Sequence, residues 1–350
     1  MRLTYKKNID LYVSANTLSI CINNKEFFAK YDMYDIDLKE IPKGYFDLLM
    51  YILFYDLEKI DISKVNIKTT GDQSIISYSG GVDSTAILHG FGGIPVHINR
   101  SYAPDYEQKQ LRAVKNVAAI NIVTDFEKIR ELYGKPHGFN VGVGYAALYM
   151  PLLPLLKANK ISFGVVFDDL AFNFGRPFKF NQSFENSRLY KIRKLLNNFG
   201  IDFVLPLAGY SELLTTQIAA QSWIKNYSSC HTIGAGSECL QCIKCFRKKG
   251  ALGQRIDISQ SLLKARLKKL FSTYPLKMAA VTVYAVQKAG YTEFKNWFDI
   301  DVSFCERVNK TMTEKFFTGE KLPGFEWQTD KDIENIYKFV DFVNEKWRYE

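Results

Sequence analysis

Apolar and polar positions alternate in the first part of the chain. Two such runs, residues 10–14 and 17–22, are joined by turn-prone residues. A period of two is typical of strands that bury one face, so the pattern predicts a small β-meander. Helical spacing follows over residues 45–57, and residues 64–69 are a further strand candidate. We interpret residues 1–70 as an N-terminal appendage that contains β-strands.

From about residue 74, short apolar runs alternate with segments of helical periodicity. This succession predicts an α/β domain with a parallel sheet, because parallel strands need crossover connections that are usually helical. Ligands on such sheets bind beyond the carboxyl ends of the strands, so residues that follow a strand are candidates for a site. The predicted strands are residues 74–78, 95–98, 121–124, 161–167 and 203–205, and the predicted helices are residues 82–90, 105–118, 143–159 and 211–225.

The last part of the chain has helical periodicity. It includes an amphipathic basic segment at residues 259–271 and a closing helix at residues 330–347. The 350 residues suffice for two domains or for one domain with extensions. We therefore divide the chain into the appendage, an α/β domain at residues 71–254 and a helical C-terminal extension at residues 255–350.

Composition narrows the class of protein. Charged residues are 24% and hydrophobic residues 47% of the chain, which argues against global disorder. The most apolar stretches, residues 46–55 and 145–156, are shorter than the roughly 20 residues that cross a bilayer. The N-terminus lacks a signal-peptide pattern, so we expect a cytoplasmic protein without a membrane partner. The net charge of +9 is scattered, which leaves nucleic acid as a less favoured partner.

The clearest chemical motif is Ser-Gly-Gly-Val-Asp-Ser at residues 79–84, between a predicted strand and a predicted helix. Two glycines permit a tight turn close to a ligand, and the N–H groups at the start of a helix attract anions. Serine and threonine hydroxyls add donors for phosphate oxygens. Asp83 would repel phosphate, so a role in binding Mg²⁺ or in orienting the backbone suits it better. The motif is not a Walker A loop, because no Gly-Lys-Ser/Thr follows it.

This motif resembles the loop of the PP-loop ATP pyrophosphatases, a superfamily with a HUP-type, Rossmann-like domain. In that superfamily the loop holds the pyrophosphate of ATP while a substrate oxygen attacks the α-phosphate, giving an adenylated intermediate and pyrophosphate. The resemblance implies catalytic roles for Asp83 and Ser84. Arg100, after the second predicted strand, is a further candidate for ATP binding. The loop residues that the resemblance implies for ATP binding are Ser79, Gly80, Gly81, Asp83 and Ser84, and Thr85 is a further candidate because its hydroxyl can donate to phosphate.

Four cysteines follow in the spacing C-x8-C-x2-C-x2-C, namely Cys230, Cys239, Cys242 and Cys245. In a reducing compartment clustered thiolates indicate a metal rather than disulfides, and four sulfur ligands suit tetrahedral Zn²⁺. The spacing leaves open an iron–sulfur cluster, unliganded buried thiols and persulfide chemistry.

Two branches of the superfamily share features with this chain. The cysteine spacing resembles that of 7-cyano-7-deazaguanine synthase, although residues 97–102 and 173–181 lack the substrate motifs of that enzyme. Residues 164–169, 207–215 and 242–248 are instead similar to segments of the muramoyl-peptide glutamate epimerases. Members of that family adenylate a carboxylate, which acidifies the adjacent C–H. The resemblances therefore imply a carboxylate substrate.

Further polar residues are candidates for the site. Asp168 and Asp169 end an apolar strand at the predicted ligand edge, where they would bind metal, act as a general base or cap a helix. The candidate substrate contacts are Arg176, Glu212, Thr215, Lys244 and Arg247.

These observations lead to one expected function and three alternatives. We expect an enzyme that adenylates a small-molecule or peptide carboxylate with ATP, releasing AMP and pyrophosphate, and thereby drives amide or nitrile formation or epimerisation. The alternatives are a deazapurine amide or nitrile synthase used in nucleic-acid or protein modification or in defence, a tRNA-modifying PP-loop enzyme, and a non-catalytic ATP-binding module. A homodimer is compatible with the sequence.

Overall fold

The structure is a computed structural model that describes residues 1–69, 71–103, 114–139, 144–166, 172–173, 176–177, 188–207, 210–224, 227, 230, 238–271 and 279–292. The chain forms two compact units, and neither is continuous in sequence. Unit 1 comprises Met1–Ser79, Gly92–Phe163 and Phe184–Val204. Unit 2 comprises Gly80–Phe91, Gly164–Ser183 and Leu205–Glu350.

Unit 1 is built on a mixed sheet of nine strands. Its strands are β1 Arg2–Lys6, β2 Ile9–Val13, β3 Thr17–Ile22, β4 Lys25–Asp32, β5 Gln73–Ser77, β6 Ile94–Arg100, β7 Ile120–Thr124, β8 Ala158–Ser162 and β11 Asp202–Val204. Their order across the sheet is β1-β2-β3-β4-β7-β6-β5-β8-β11. The short strands β9 Phe172–Asn173 and β10 Arg176–Pro177 pair antiparallel in unit 2.

α-Helices of four to eleven residues complete both units. In unit 1 they are α1 Lys43–Leu53, α3 Gly144–Tyr149, α4 Leu152–Leu155 and α5 Arg188–Asn198, with 3-10 helices at Leu38–Glu40 and Phe126–Tyr133. In unit 2 they are α2 Val82–Phe91, α6 Glu212–Gln221, α7 Ile243–Ala251, α8 Ser261–Phe271 and α9 Ala279–Lys288. Within the described ranges, no helix has the length and apolar character needed to cross a bilayer.

The predicted N-terminal meander is confirmed, and it extends the sheet. Strands β1 to β4 are antiparallel, and β4 pairs antiparallel with β7. Burial alternates in β2, where Ile9, Leu11 and Val13 point into the core. At the join, Thr124 Oγ1 donates to the carbonyl oxygen of Phe28 at 2.8 Å. Side-chain hydrogen bonds therefore reinforce the pairing between β4 and β7.

The parallel part of the sheet confirms the α/β class. Strands β7, β6, β5, β8 and β11 are parallel neighbours. Ile75 and Ile76 of β5 are both fully buried, which is typical of a strand covered on its two faces. The carboxyl ends of these strands lie along one edge of the sheet, the edge at which the sequence predicted a ligand.

Three predictions about individual elements are wrong. Residues 64–69 form no strand: Tyr45 Oη donates to the carbonyl oxygen of Lys68 at 3.3 Å, and Ile67 packs against Gly44. The helix predicted at residues 143–159 is split into α3 and α4, because proline removes a backbone donor. Strand β8 begins and ends earlier than predicted.

Some predictions lie outside the described residues. They concern most of the helix at residues 105–118, the last residue of the strand at residues 161–167 and the closing helix at residues 330–347. The domain boundaries at residues 70 and 254 stay predictions.

Candidate functional site

The Ser-Gly-Gly-Val-Asp-Ser motif forms a loop that leads directly into α2. Gly80 has a φ of +71°, in the left-handed region that glycine adopts without a steric penalty. The amide of Thr85 donates to the carbonyl oxygen of Gly81 at 3.0 Å, and so does Ser84 Oγ at 3.1 Å. Ser84 and Thr85 are buried, whereas Ser79 is exposed. The predicted loop between strand and helix is therefore confirmed, and its contacts with phosphate stay predictions.

Asp83 lies in the first turn of α2 and is held by a residue from α6. Thr215 Oγ1 donates to Asp83 Oδ1 at 2.8 Å, across 132 positions of sequence. The backbone of Gly164 also approaches here: a Cβ at that position would lie 3.1 Å from Asp83 Cβ and 3.3 Å from the amide nitrogen of Ser84. Residues from three distant parts of the sequence therefore meet at the start of α2.

Glu212, at the start of α6, forms a buried ion-pair cluster with α7. Arg247 Nη2 lies 3.0 Å from Glu212 Oε2, and Lys248 Nζ lies 3.8 Å from Glu212 Oε1. The side chains of Arg247 and Glu212 are only 6% and 5% exposed. Burial alone would raise the pKa of Glu212, but the charges of Arg247, Lys248 and Lys244 outweigh it and lower the pKa. Glu212 is thus ionised at neutral pH, and two predicted substrate contacts bind each other.

Lys244 belongs to the same group of charges. It lies one helical turn before Lys248 on α7 and is partly exposed. Burial lowers its pKa, and the charge of Lys248 lowers it further, while the carboxylates of Glu212 and Asp83 oppose this shift. Three cations and two carboxylates therefore interact around α2, α6 and α7 in unit 2.

The four predicted metal ligands lie together next to this group. The Sγ atoms of Cys230, Cys239, Cys242 and Cys245 all lie within 4.8 Å of one another. Three of the sulfur pairs are 3.5, 3.9 and 3.9 Å apart. Tetrahedral zinc with Zn–S bonds of about 2.3 Å places its ligands about 3.8 Å apart. The cluster therefore has dimensions that could hold a metal ion such as zinc.

Backbone donors support the thiolate form of these ligands. Cys242 is the N-cap of α7, and its Sγ accepts from the amide of Cys245 at 3.4 Å. The amide of Gln241 likewise donates to Cys239 Sγ at 3.3 Å. The hydrogen bond between the Cys242 and Cys245 thiols, together with that from the Cys245 amide, lowers the pKa of Cys242 despite burial. A thiolate at the start of α7 is also favoured by the helix dipole.

Arg100 lies at the end of β6 in unit 1, where it contacts a carboxylate that the sequence did not single out. Its Nε lies 2.9 Å from Glu127 Oε2, and its guanidinium donates to the hydroxyl of Tyr145. Glu127 also accepts from Tyr102 Oη and from the amide of Phe139. The only sequence signal for Glu127 was its position shortly after a predicted strand. ATP binding by Arg100 stays a prediction.

The side chains of the three remaining predicted site residues lie outside the described part of the structure. Asp168 and Asp169 lie outside the described residues. Arg176 belongs to β10, and the description there extends only to the backbone.

Comparison with known proteins adds one finding. Residues 191–301 match a family model described as "Family of unknown function (DUF6395)". The match includes Glu212, Thr215, Arg247 and the four cysteines, and it leaves out the loop at residues 79–84. No curated protein matches the chain.

Proposed function

We propose that this protein is an ATP-dependent enzyme that adenylates a carboxylate and releases AMP and pyrophosphate. The observation that carries the proposal is the environment of Asp83. This carboxylate follows a left-handed glycine at the start of a helix, and the hydroxyl of Thr215 donates to it. An oriented carboxylate at the N-terminus of a helix, where the helix dipole favours anions, suits a site for Mg²⁺ and polyphosphate.

The charges around this loop support a polyanionic ligand. Lys244 interacts with the charges of both Glu212 and Asp83, whereas Arg247 and Lys248 pair with Glu212, so three cations accompany two carboxylates. Cations in a partly buried site attract phosphate or carboxylate strongly, because the low local dielectric weakens their screening. The resemblance of the loop to that of the PP-loop ATP pyrophosphatases gives the same ligand class on independent grounds.

The proposal assigns roles to the residues of the chain. The backbone of Gly80 and Gly81 would bind the pyrophosphate part of ATP, and Asp83 would hold Mg²⁺ through its carboxylate. Mg²⁺, when bound, neutralises phosphate charge. An oxygen of the substrate carboxylate would attack the α-phosphorus and form a mixed anhydride with AMP, while pyrophosphate leaves with the electron pair of the broken P–O bond. The four cysteines would hold Zn²⁺ in a structural role.

A pyrophosphate-release assay tests this function. Purified protein with ATP and Mg²⁺ is offered a panel of 7-carboxy-7-deazaguanine, muramoyl peptides, amino acids and tRNA. We expect AMP and pyrophosphate with one panel member, and loss of both in Asp83→Ala. Asp32→Ala, which removes an exposed carboxylate from β4, is the matched control and should retain activity.

The products separate the proposal from its rivals. ADP with inorganic phosphate would refute adenylation, and ATP binding without turnover would indicate a binding module. Mass spectrometry of the product distinguishes amide or nitrile formation from epimerisation, since only epimerisation leaves the mass of the acid unchanged. Turnover with tRNA alone would favour the nucleic-acid-modifying alternative.

A further inference from the structure

Unit 2 contains a continuous chain of contacts from the four-cysteine cluster to Asp83. We propose that Thr215 and Glu212 are positioning residues that hold the Asp83 carboxylate, and that metal bound by the cysteines maintains this arrangement through α7. The contacts themselves do not depend on the proposed function. Only the consequence for ATP rests on it.

The first contact joins Asp83 to Thr215. A threonine hydroxyl has one proton to donate, and two acceptors lie near it: Asp83 Oδ1 at 2.8 Å and the carbonyl oxygen of Glu212 at 3.2 Å. The carbonyl already accepts from Thr216 Oγ1 at 2.7 Å. The carboxylate is both closer and charged, so the Thr215 proton points to Asp83. Thr215 is fully buried, and its side chain is therefore fixed.

The second contact fixes the start of α6, which carries Thr215. Glu212 is one turn before Thr216, and its carboxylate pairs with Arg247 and Lys248 of α7. All three of these charged side chains are less than a tenth exposed. A buried ion pair is sensitive to geometry, because the charges lose hydration if they separate without reaching water. The ion pairs of Glu212 therefore hold the first turn of α6 against α7.

The third contact joins α7 to the metal ligands. Cys242 caps this helix and Cys245 lies in its first turn, two residues before Arg247. Helix α7 has nine residues, too few to be stable alone in water, so its position depends on its surroundings. Metal that binds Cys242 and Cys245 together with Cys230 and Cys239 would fix its first turn. The same helix then presents Arg247 and Lys248 to Glu212.

Hydrogen–deuterium exchange of the metal-loaded protein tests the connection without nucleotide. We expect Thr215→Val to raise amide exchange in the peptide that covers residues 80–91, and Thr215→Ser, which keeps the hydroxyl, to restore it. Thr216→Val is the matched control, since it removes a neighbouring buried hydroxyl that does not contact Asp83. Glu212→Gln should raise exchange in residues 80–91 and 210–221. Equal effects of Thr215→Val and Thr216→Val would overturn the inference.

Removal of the metal tests the far end of the connection. A chelator should raise exchange first in residues 238–251 and then in residues 210–221 and 80–91. A rise confined to residues 238–251 would overturn the inference. If the chelator unfolds the whole chain, the hydrogen–deuterium exchange of the metal-loaded variants described above decides whether the inference holds.

Binding of Mg²⁺·ATP separates this inference from the proposed function. We expect Thr215→Val to weaken binding by about tenfold and Thr216→Val to leave it unchanged. A wild-type protein that does not bind ATP refutes the proposed function, whereas the exchange results still decide on the contacts. Normal ATP binding by Thr215→Val would refute the positioning role alone.

Discussion

The ion pair between Glu212 and Arg247 offers the sharpest test of the energetics of unit 2. Glu212→Ala removes the carboxylate that pairs with Arg247 and Lys248, whose side chains are 6% and 9% exposed. These cations cannot regain hydration without moving the helix that carries them. Loss of one partner of a buried pair costs about 3–5 kcal/mol, so we expect the free energy of unfolding to fall by that amount.

Urea denaturation of the metal-loaded protein, followed by circular dichroism, measures this loss. Glu238→Ala is the matched control, because Glu238 pairs with Lys249 of the same helix at 2.8 Å but the two side chains are 32% and 26% exposed. A pair so accessible to water contributes only about 0–1 kcal/mol. Similar losses in Glu212→Ala and Glu238→Ala would refute the reasoning from burial.

A double-mutant cycle distinguishes loss of the pair from loss of packing. Arg247→Met keeps the apolar part of the arginine side chain and removes its charge. If the stability lost in Glu212→Ala comes from the uncompensated cation, the double variant should lose less free energy of unfolding than the two single variants lose together. We expect the difference to be about 1–3 kcal/mol. Strict additivity would show that the two side chains act independently.

Three further predictions concern pH, the loop and the metal. Because the pKa of Glu212 in the folded protein is lowered from 4.5, its ionised form stabilises the fold above pH 4.5, and this contribution is lost as pH falls through the lowered pKa. The urea midpoints of wild type and Glu212→Gln should therefore converge as pH falls below 4.5, and a constant gap would contradict this. Gly80→Ala should lower the free energy of unfolding by about 1 kcal/mol and abolish ATP binding. Gly92→Ala, at a glycine with a similar φ of +69°, should lower the stability in a thermal melt by a similar amount and leave ATP binding unchanged. Cys245→Ser should lose metal in elemental analysis and lower the melting temperature, unlike Cys21→Ser; a folded, metal-free Cys245→Ser protein would argue against a structural metal.

Local patterns along the sequence determined most of the secondary structure of the described residues. Strand β3 has the predicted bounds, residues 17–22, and α2 differs from its prediction by one residue. Such patterns succeed because the period of apolar residues matches the geometry of one element and needs no partner. The cysteine cluster was predictable for a related reason: three ligands lie within seven residues, so short-range geometry brings them together.

The tertiary structure decided which distant residues meet. The pairing of β4 with β7, the bond between Thr215 and Asp83, and the pair of Glu212 with Arg247 join positions far apart in sequence. Apolar and polar residues alternate over residues 64–69 as they do in a strand, but these residues pair with no strand of the sheet. A segment becomes a strand only where a neighbouring edge of a sheet is open to it, and the local sequence does not determine this.

The site shows the same division between local and distant information. The sequence by itself determined the chemistry that is present: a glycine loop that leads into a helix, a carboxylate in its first turn, four thiols and several cations. It left the partners of these groups open, since hydrogen bonds and ion pairs depend on distances of a few ångströms that no local pattern encodes. Only the folded chain placed Thr215 against Asp83 and turned two candidate substrate contacts, Glu212 and Arg247, toward each other.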